Sequence, residues 1–212
     1  MKYYPVLLQT EGKKCVVVGG GCVAERKVSA LLQAGAFVWV ISPRVTRKIQ
    51  SLAERHAIVH IPGAYKKRFL CNACLVISAT NDRAVNKEVS RDANSFGIPV
   101  NVVDCAEESS FISPAVVRKG DMLIAVSTCG KAPILAKRMK DDAKGVLSKY
   151  ASAAGFISRS RAYIKDKRIP FQKRRAFLAS LVSEYMNGHI PGKCTPAYVK
   201  KLVDKQLYSR KR

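Results

Sequence analysis

Long hydrophobic runs are absent from this sequence of 212 residues. Its apolar stretches are strand-sized, well short of the roughly 20 residues that a membrane-spanning helix needs. The first residues, MKYYPVLLQTEGKK, lack the apolar stretch and small-residue cleavage site of a secretory leader, so a cytoplasmic protein is expected. Histidine is scarce: His56, His60 and His189 are the three, and none has a recognisable catalytic partner. The seven cysteines are odd in number and irregularly spaced, which argues against a disulfide framework and for free thiols. Cys71 and Cys74 form one C-x-x-C, but no second C-x-x-C or C-x-x-H follows, so no metal site is expected. Acidic residues are also few, 15 against 38 lysines and arginines, for a net charge of +23. The imbalance is concentrated late: residues 1–130 carry 17 basic and 10 acidic residues, residues 131–212 carry 21 and 5. Such a tail suits a polyanionic partner, whether a nucleic acid, an acidic membrane surface or a small polycarboxylate; a merely solvated helical surface is the plain alternative.

What the sequence does have is alternation of strand-like and helix-like segments. Val16–Val18 read as a buried strand, because β-branched residues dominate. Cys22 to Ala34 has helical spacing, with Val23, Val28, Leu31 and Leu32 on the inner face and Gly35 as its stop. Phe37–Ile41 is a second strand, after which Ser42-Pro43 opens another helix. Ala57–Ile61, Leu75–Ala79 and Pro99–Val103 are three more strands, with a helix from Asp82 to Phe96 between the last two. Strands separated by helices imply βαβ units and a parallel sheet. After Asp104 the pattern changes. SPAVVRKG and DMLIAVST form an antiparallel pair joined by Lys119-Gly120-Asp121, and a helix with Pro133 in its first turn follows. From Ala151 onward only helices are expected, broken near Gly155, at Ile169-Pro170 and at His189 to Gly192.

Gly19-Gly20-Gly21-Cys22-Val23-Ala24 fits G-x-G-x-x-A between a strand and a helix. Gly19 permits the tight turn, Gly21 lets a pyrophosphate approach the backbone, and Ala24 lets the helix pack close to the strand. A dinucleotide is therefore the expected ligand. The second strand carries no terminal acid for the adenosine ribose; it ends Ser42-Pro43-Arg44, where Ser42 or backbone groups replace the carboxylate or Arg44 reads a 2′-phosphate. On this basis alone NAD and NADP both stay open. Thr80 and Asn81 end the fourth strand, on the edge where the cofactor lies, unless they serve only to cap the next helix. Asp104 ends the fifth strand at the same edge and is the best candidate for proton chemistry.

The segments VVGGGCVAERK, LLQAG, LVISATND, NVVD, SFISPAVVRKG, LIAVSTCG and PILAKRMK occur in this order. Together they resemble the N-terminal module of siroheme synthase, a family of precorrin-2 dehydrogenases and bifunctional dehydrogenase/ferrochelatases. The likeness covers about residues 1–150 strongly and the rest by helical character alone. It implies an α/β fold: a Rossmann-type parallel-sheet domain at 1–112, a dimerisation hairpin and helix at 113–150, and a small basic helical domain at 151–212. It implies NAD as oxidant, a homodimer, and a tetrapyrrole substrate, precorrin-2 or sirohydrochlorin. Fe2+ is a second substrate where ferrochelatase activity is present, which the residues leave open. The glycine motif and the strand ends put Gly19, Gly21, Ala24, Ser42, Thr80 and Asn81 at the cofactor, and by the same resemblance Cys22, Val23, Pro43 and Arg44 also occupy cofactor-contacting positions. Asp104 is catalytic, and Asn101, Ser113, Ser127 and Thr128 bind substrate. The family's two glycines after the Ser/Thr pair are here Cys129-Gly130, which restricts that loop. A polycarboxylate substrate answers part of the basic charge, and nonspecific nucleic-acid adhesion by the remainder stays open. A non-catalytic NAD-sensing protein of the same fold is the alternative function, against which Asp104 weighs.

Overall fold

The computed structural model describes residues 2–165, 167, 169–190 and 195–209, with the side chains of residue 152 and residues 206–209 set aside. The chain divides into two compact units, Met1–Ser113 and Pro114–Arg212.

The first unit is a five-stranded, all-parallel sheet. Its strands are β1 (Lys14–Val18), β2 (Phe37–Ile41), β3 (Val59–Ile61), β4 (Leu75–Ser78) and β5 (Val100–Val102), in the spatial order β3-β2-β1-β4-β5. The strands are apolar on both sides because both sheet faces are covered. Cys15 and Val17 of β1 point into one core with Ala24, Val28 and Leu31 of α1 (Cys22–Gln33) and Ile49 of α2 (Arg47–Glu54). Val16 and Val18 point into the other, with Val89 and Ala93 of α3 (Arg83–Ser95). The alternation is the period-two geometry of a strand, and it buries the middle of β1 on both sides.

Helix ends follow local chemistry. Gly35, at φ +72°, closes α1: its N–H donates to the Leu32 carbonyl at 3.0 Å and the Ala36 N–H to the Leu31 carbonyl at 3.1 Å. That pair of bonds is a Schellman motif, for which the left-handed glycine is required. The helix expected to open at Ser42-Pro43 opens later. Residues 42–45 form a loop, drawn tight by the Ser42 hydroxyl donating to the Arg44 carbonyl at 2.6 Å. Thr46 is the true N-cap of α2, accepting from the Ile49 N–H at 3.3 Å. A threonine cap satisfies a helix N-terminus better than the ring of Pro43 can.

The open edge of β5 is covered by the chain's own serines. Ser110 Oγ accepts from the Val100 N–H at 2.8 Å, and Ser109 Oγ accepts from the Val102 N–H at 2.9 Å. Asn101 Nδ2 donates to the Phe111 carbonyl at 3.0 Å. Residues 105–111 thus double back along the edge strand and occupy donors that would otherwise invite another strand.

The second unit opens with the hairpin β6 (Ala115–Lys119) and β7 (Met122–Val126), which turns at Gly120, φ +56°. Both strands pack on α4 (Pro133–Lys165). The break expected near Gly155 does not occur, and α4 runs unbroken through the 150/151 boundary. Gly155 costs a helix about 1 kcal/mol relative to alanine. Here Ala153, Phe156 and Ile164 of α4 are buried against α5 (Phe171–Met186) and α6 (Pro196–Ser209), and that packing outweighs the glycine. Phe156 stacks on Tyr185 with ring centroids 5.4 Å apart. Pro170 does mark the start of α5; of the break expected at His189 to Gly192, Pro191 and Gly192 lie outside the described residues.

Candidate active site

A groove of about 670 Å³ runs along the carboxyl edge of the sheet, where the strand order reverses between β1 and β4. Ligands of open parallel sheets bind at this place. One wall is the glycine loop. Gly19 has φ +115°, and a Cβ there would lie 2.3 Å from the Ala79 carbonyl oxygen. Gly20 is hemmed in as tightly: a Cβ would lie 2.1 Å from the Arg44 carbonyl oxygen and 2.8 Å from Ser42 Oγ. At Gly21 the surroundings are open, with nothing within 4 Å of where a Cβ would stand. Gly19 and Gly20 therefore pack the loop against its neighbours, while Gly21 leaves space on the groove side.

Gly21 is also the N-cap of α1 and supplies no side-chain cap, so the first-turn N–H groups keep their capacity to bind an anion. A dinucleotide's pyrophosphate fits this cradle by both space and charge. The loop is stapled from outside: the Thr46 N–H donates to the Gly20 carbonyl at 2.9 Å, and Thr46 Oγ1 donates to Glu25 Oε2 at 2.7 Å.

The positions expected to hold the cofactor fall into two groups. Gly19, Gly21, Ser42, Pro43, Arg44, Thr80 and Asn81 all line the groove. Cys22, Val23 and Ala24 do not. Ala24 is fully buried in the core beneath α1, as close helix–strand packing requires, and Cys22 is exposed. Ser42 is buried, its proton committed to the Arg44 carbonyl, so it offers a ligand its lone pairs rather than its donor.

Thr80 sits at the junction of the groove with a smaller cavity of about 220 Å³, lined by Asn81, Arg83, Asn86, Asp104, Cys105 and Glu108 among others. Asn86 organises this junction. Its Oδ1 accepts from Ser78 Oγ at 2.8 Å and lies 2.7 Å from Thr80 Oγ1, and its Nδ2 donates to the Thr80 carbonyl at 3.0 Å. Asp82 is spent as the cap of α3, accepting from the Ala84 and Val85 N–H groups.

Asp104 lines the smaller cavity and has φ +59°. A left-handed non-glycine residue is uncommon, although aspartate tolerates it better than most, and it persists only where the surroundings impose it. Here the Val103 N–H donates to the Ser78 carbonyl at 2.9 Å, and Ser109 Oγ donates to the Cys105 carbonyl at 2.7 Å. The turn is pinned on both sides of Asp104.

Of the expected substrate residues, Asn101 and Ser113 belong to the first unit and line neither cavity. Asn101 is buried and bonded to Phe111, and it lines neither cavity. Ser113 is exposed at the end of the first unit. Ser127 and Thr128 belong to the second unit, where they shape the loop before α4. Ser127 Oγ accepts from the Cys129 N–H and Thr128 Oγ1 from the Ala132 N–H, both at 3.0 Å. Cys129, in place of the family's glycine, takes φ +55°.

Three contributors escaped the sequence reading: Gly20, Asn86 and Tyr65. Tyr65 lines the groove and donates to Asp92 Oδ2 at 3.1 Å; burial, then the negative charge of Asp92, pushes its phenol well above the usual range. A period of three and four in α3 (Asn86, Val89, Ser90, Ala93) was the available signal for Asn86 as a buried polar residue. His60 is held to the Ser42 carbonyl at 3.0 Å. Burial, with Cys74 nearby, pushes the Cys15 thiol up to about 11. Among the described residues no group of three or more His, Cys, Asp or Glu side chains converges to hold a metal, and no helix is long and apolar enough to cross a membrane.

Known proteins resemble the chain along most of its length. It is 36% identical over 194 residues to the siroheme synthase of Chromobacterium violaceum, covering 89% of this chain and 41% of that protein. It is 40% identical over 179 residues to the siroheme synthase of Methylobacillus flagellatus, covering 84% and 38%. The chain thus spans about two fifths of the length of these curated relatives. Among solved structures, "SirC, precorrin-2 dehydrogenase" superposes with a TM-score of 0.75 at 25% identity, covering 98% of this chain and 100% of that one. A family described as putative NAD(P)-binding matches residues 6–115, the segment that carries the sheet, the glycine loop and Asp104, and the chain belongs to that family.

Proposed function

We propose that this chain is an NAD-dependent precorrin-2 dehydrogenase, forming sirohydrochlorin in the cytoplasm. The observation that carries the reading is a single sheet edge on which the glycine cradle and Asp104 meet through Thr80 and Asn81. Likeness to a precorrin-2 dehydrogenase over the whole chain supports it.

NAD+, when bound, supplies the hydride acceptor. The chain's residues do the rest. The first-turn N–H groups of α1 hold the pyrophosphate, and Gly21 keeps the approach clear. Thr80, fixed by Asn86, and its neighbour Asn81 set where the cofactor leaves the larger groove. Asp104 stands at the far end, where its carboxylate takes the proton that precorrin-2 loses as hydride departs. Lysines and arginines anchor the substrate's carboxylates. Iron insertion requires two pyrrole protons to leave as Fe2+ enters as substrate, and in this reading Asp104 receives one.

Incubation with precorrin-2 and NAD+ is expected to give the absorption spectrum of sirohydrochlorin, and a further change on adding Fe2+ if the chain is also a chelatase. No spectral change with NAD+ would sink the dehydrogenase reading. Titration is expected to show tighter binding of NAD+ than of NADP+; the reverse order would make exposed Arg44 a phosphate reader.

The second unit supplies the dimer contact in this reading. Val116, Ile134, Leu135, Met139 and Val146 are all exposed apolar residues of the hairpin and α4, and two-fold pairing is the commonest way to cover such a face. Light scattering at micromolar concentration is expected to give twice the 23.3 kDa chain mass; a mass of one chain would reject the dimer.

A further inference from the structure

The smaller cavity holds a single cation. Of the charged residues that line it, Arg83 is basic, and Asp104 and Glu108 are acidic. Local structure fixes Arg83 there. Asp82 caps α3 through the Ala84 and Val85 N–H groups, so Arg83 is the first helical residue after the end of β4. The positive end of a helix disfavours a cation at this position. Arg83 is exposed, and among the described residues its guanidinium makes no hydrogen bond or ion pair, although two carboxylates share its cavity.

Its polar neighbours are already committed. Asn86 is spent on Ser78 and Thr80. Ser90 of α3 donates to the Glu108 carbonyl at 2.6 Å, so the helix that carries Arg83 is tied to the segment that carries Glu108. At about 220 Å³ the cavity is smaller than the roughly 300–1,000 Å³ that encloses a whole drug-sized ligand. It therefore takes part of a macrocycle, a side arm at its edge. We propose that Arg83 binds a side-arm carboxylate of the tetrapyrrole and so sets which edge of the macrocycle faces Asp104. The proposal rests on the dehydrogenase reading above.

Charge accounts for the choice of residue. Without Arg83 the cavity would present two acids and repel an anionic arm. A guanidinium also pairs with a carboxylate through two parallel hydrogen bonds in one plane, which orients the arm as well as attracting it. The cofactor's pyrophosphate is not the partner. Arg83 lines the smaller cavity alone, whereas Thr80 and Asn81 line both.

Arg83→Gln removes the charge and keeps a hydrogen-bonding side chain. Sirohydrochlorin, titrated by absorbance without NAD+ or iron, is expected to bind this variant about tenfold more weakly, while NAD+ affinity stays within about twofold of native. In turnover the loss is expected mainly in KM for precorrin-2. Arg83→Lys keeps the charge without the fork and is expected to fall between the two. Lys87→Gln removes a charge from the same helix outside both cavities and is expected to change neither affinity. If Arg83→Gln binds sirohydrochlorin as tightly as the native protein does, the proposal falls. It falls too if Lys87→Gln weakens binding as much, since net charge would then be the cause. An equal loss of NAD+ affinity in Arg83→Gln would make Arg83 a cofactor ligand and also overturn it, as would a native protein that does not bind sirohydrochlorin. The titration needs no turnover. If the native protein binds the tetrapyrrole but does not oxidise precorrin-2, the dehydrogenase reading fails, and the affinity of Arg83→Gln still decides whether Arg83 holds the carboxylate.

Discussion

Gly21→Asp is expected to abolish NAD+ binding and leave the first unit as stable as before. The two halves of that expectation have separate origins. Gly21 has φ −80° and ψ −175°, an extended conformation open to any residue, and a Cβ there meets nothing within 4 Å. Folding therefore has no objection to a side chain. The pyrophosphate does, because the new carboxylate would stand at the α1 N-terminus in its place, and a loss of at least about 100-fold in affinity, near 2.7 kcal/mol, is the minimum expected. Gly20→Ala is the contrasting control. Its methyl would lie 2.1 Å from the Arg44 carbonyl oxygen, a backbone atom. The 42–45 loop must shift, at a cost of about 1–3 kcal/mol. Calorimetric titration with NAD+ and urea unfolding separate the two effects. Tight NAD+ binding by Gly21→Asp would mean that the cofactor does not lie on this loop. Native stability in Gly20→Ala would mean that the loop after β2 is not packed on it.

That pair also marks what was legible in the sequence and what was not. Gly19 and Gly21 were readable because a strand–turn–helix with spaced glycines has one well-understood use. Gly20 was not, because its constraint comes from Arg44, a residue from another loop whose proximity only the folded sheet creates. The sheet was readable because central parallel strands are apolar throughout, as in Val16–Val18 and Leu75–Ile77. Local signals failed where tertiary contacts compete with them. Pro43 looked like a helix start, but the loop it occupies is needed to wrap Gly20, so α2 begins after Thr46. Gly155 looked like a helix end, but burial of its neighbours in α4 carries the helix past it. Asn101, expected as a substrate ligand at a strand end, also has a scaffolding bond that its position in the sequence did not disclose: it ties residue 111 to β5. Polar residues near a site divide between binding and scaffolding, and only hydrogen-bond partners distinguish them. Thr80 and Asn86 show how closely the two roles lie: one faces both cavities, the other holds it there.

Asp104→Asn is expected to reduce sirohydrochlorin formation by about 10²-fold or more, the range for loss of a general base, with NAD+ affinity nearly unchanged. Asparagine is the right replacement for a structural reason. Residue 104 has φ +59°, and asparagine accepts the left-handed region about as readily as aspartate, whereas alanine does not. Asp104→Ala would remove the carboxylate and strain the turn together, so a slow enzyme could result from either. With asparagine the turn keeps the bonds of Val103 to Ser78 and of Ser109 to Cys105, and urea unfolding is expected to change by no more than about 0.5 kcal/mol. Only the proton acceptor is lost. Rates of sirohydrochlorin formation and of iron insertion, measured on the same preparation, then separate the roles. A fall in both assigns the carboxylate to proton removal from the macrocycle in each step. A fall in iron insertion alone confines it to the pyrrole protons and leaves hydride transfer to positioning by the groove. If neither falls, Asp104 is a turn residue whose left-handed backbone serves the fold, and the base must be sought elsewhere along the same cavity, where Glu108 is the other carboxylate on its lining.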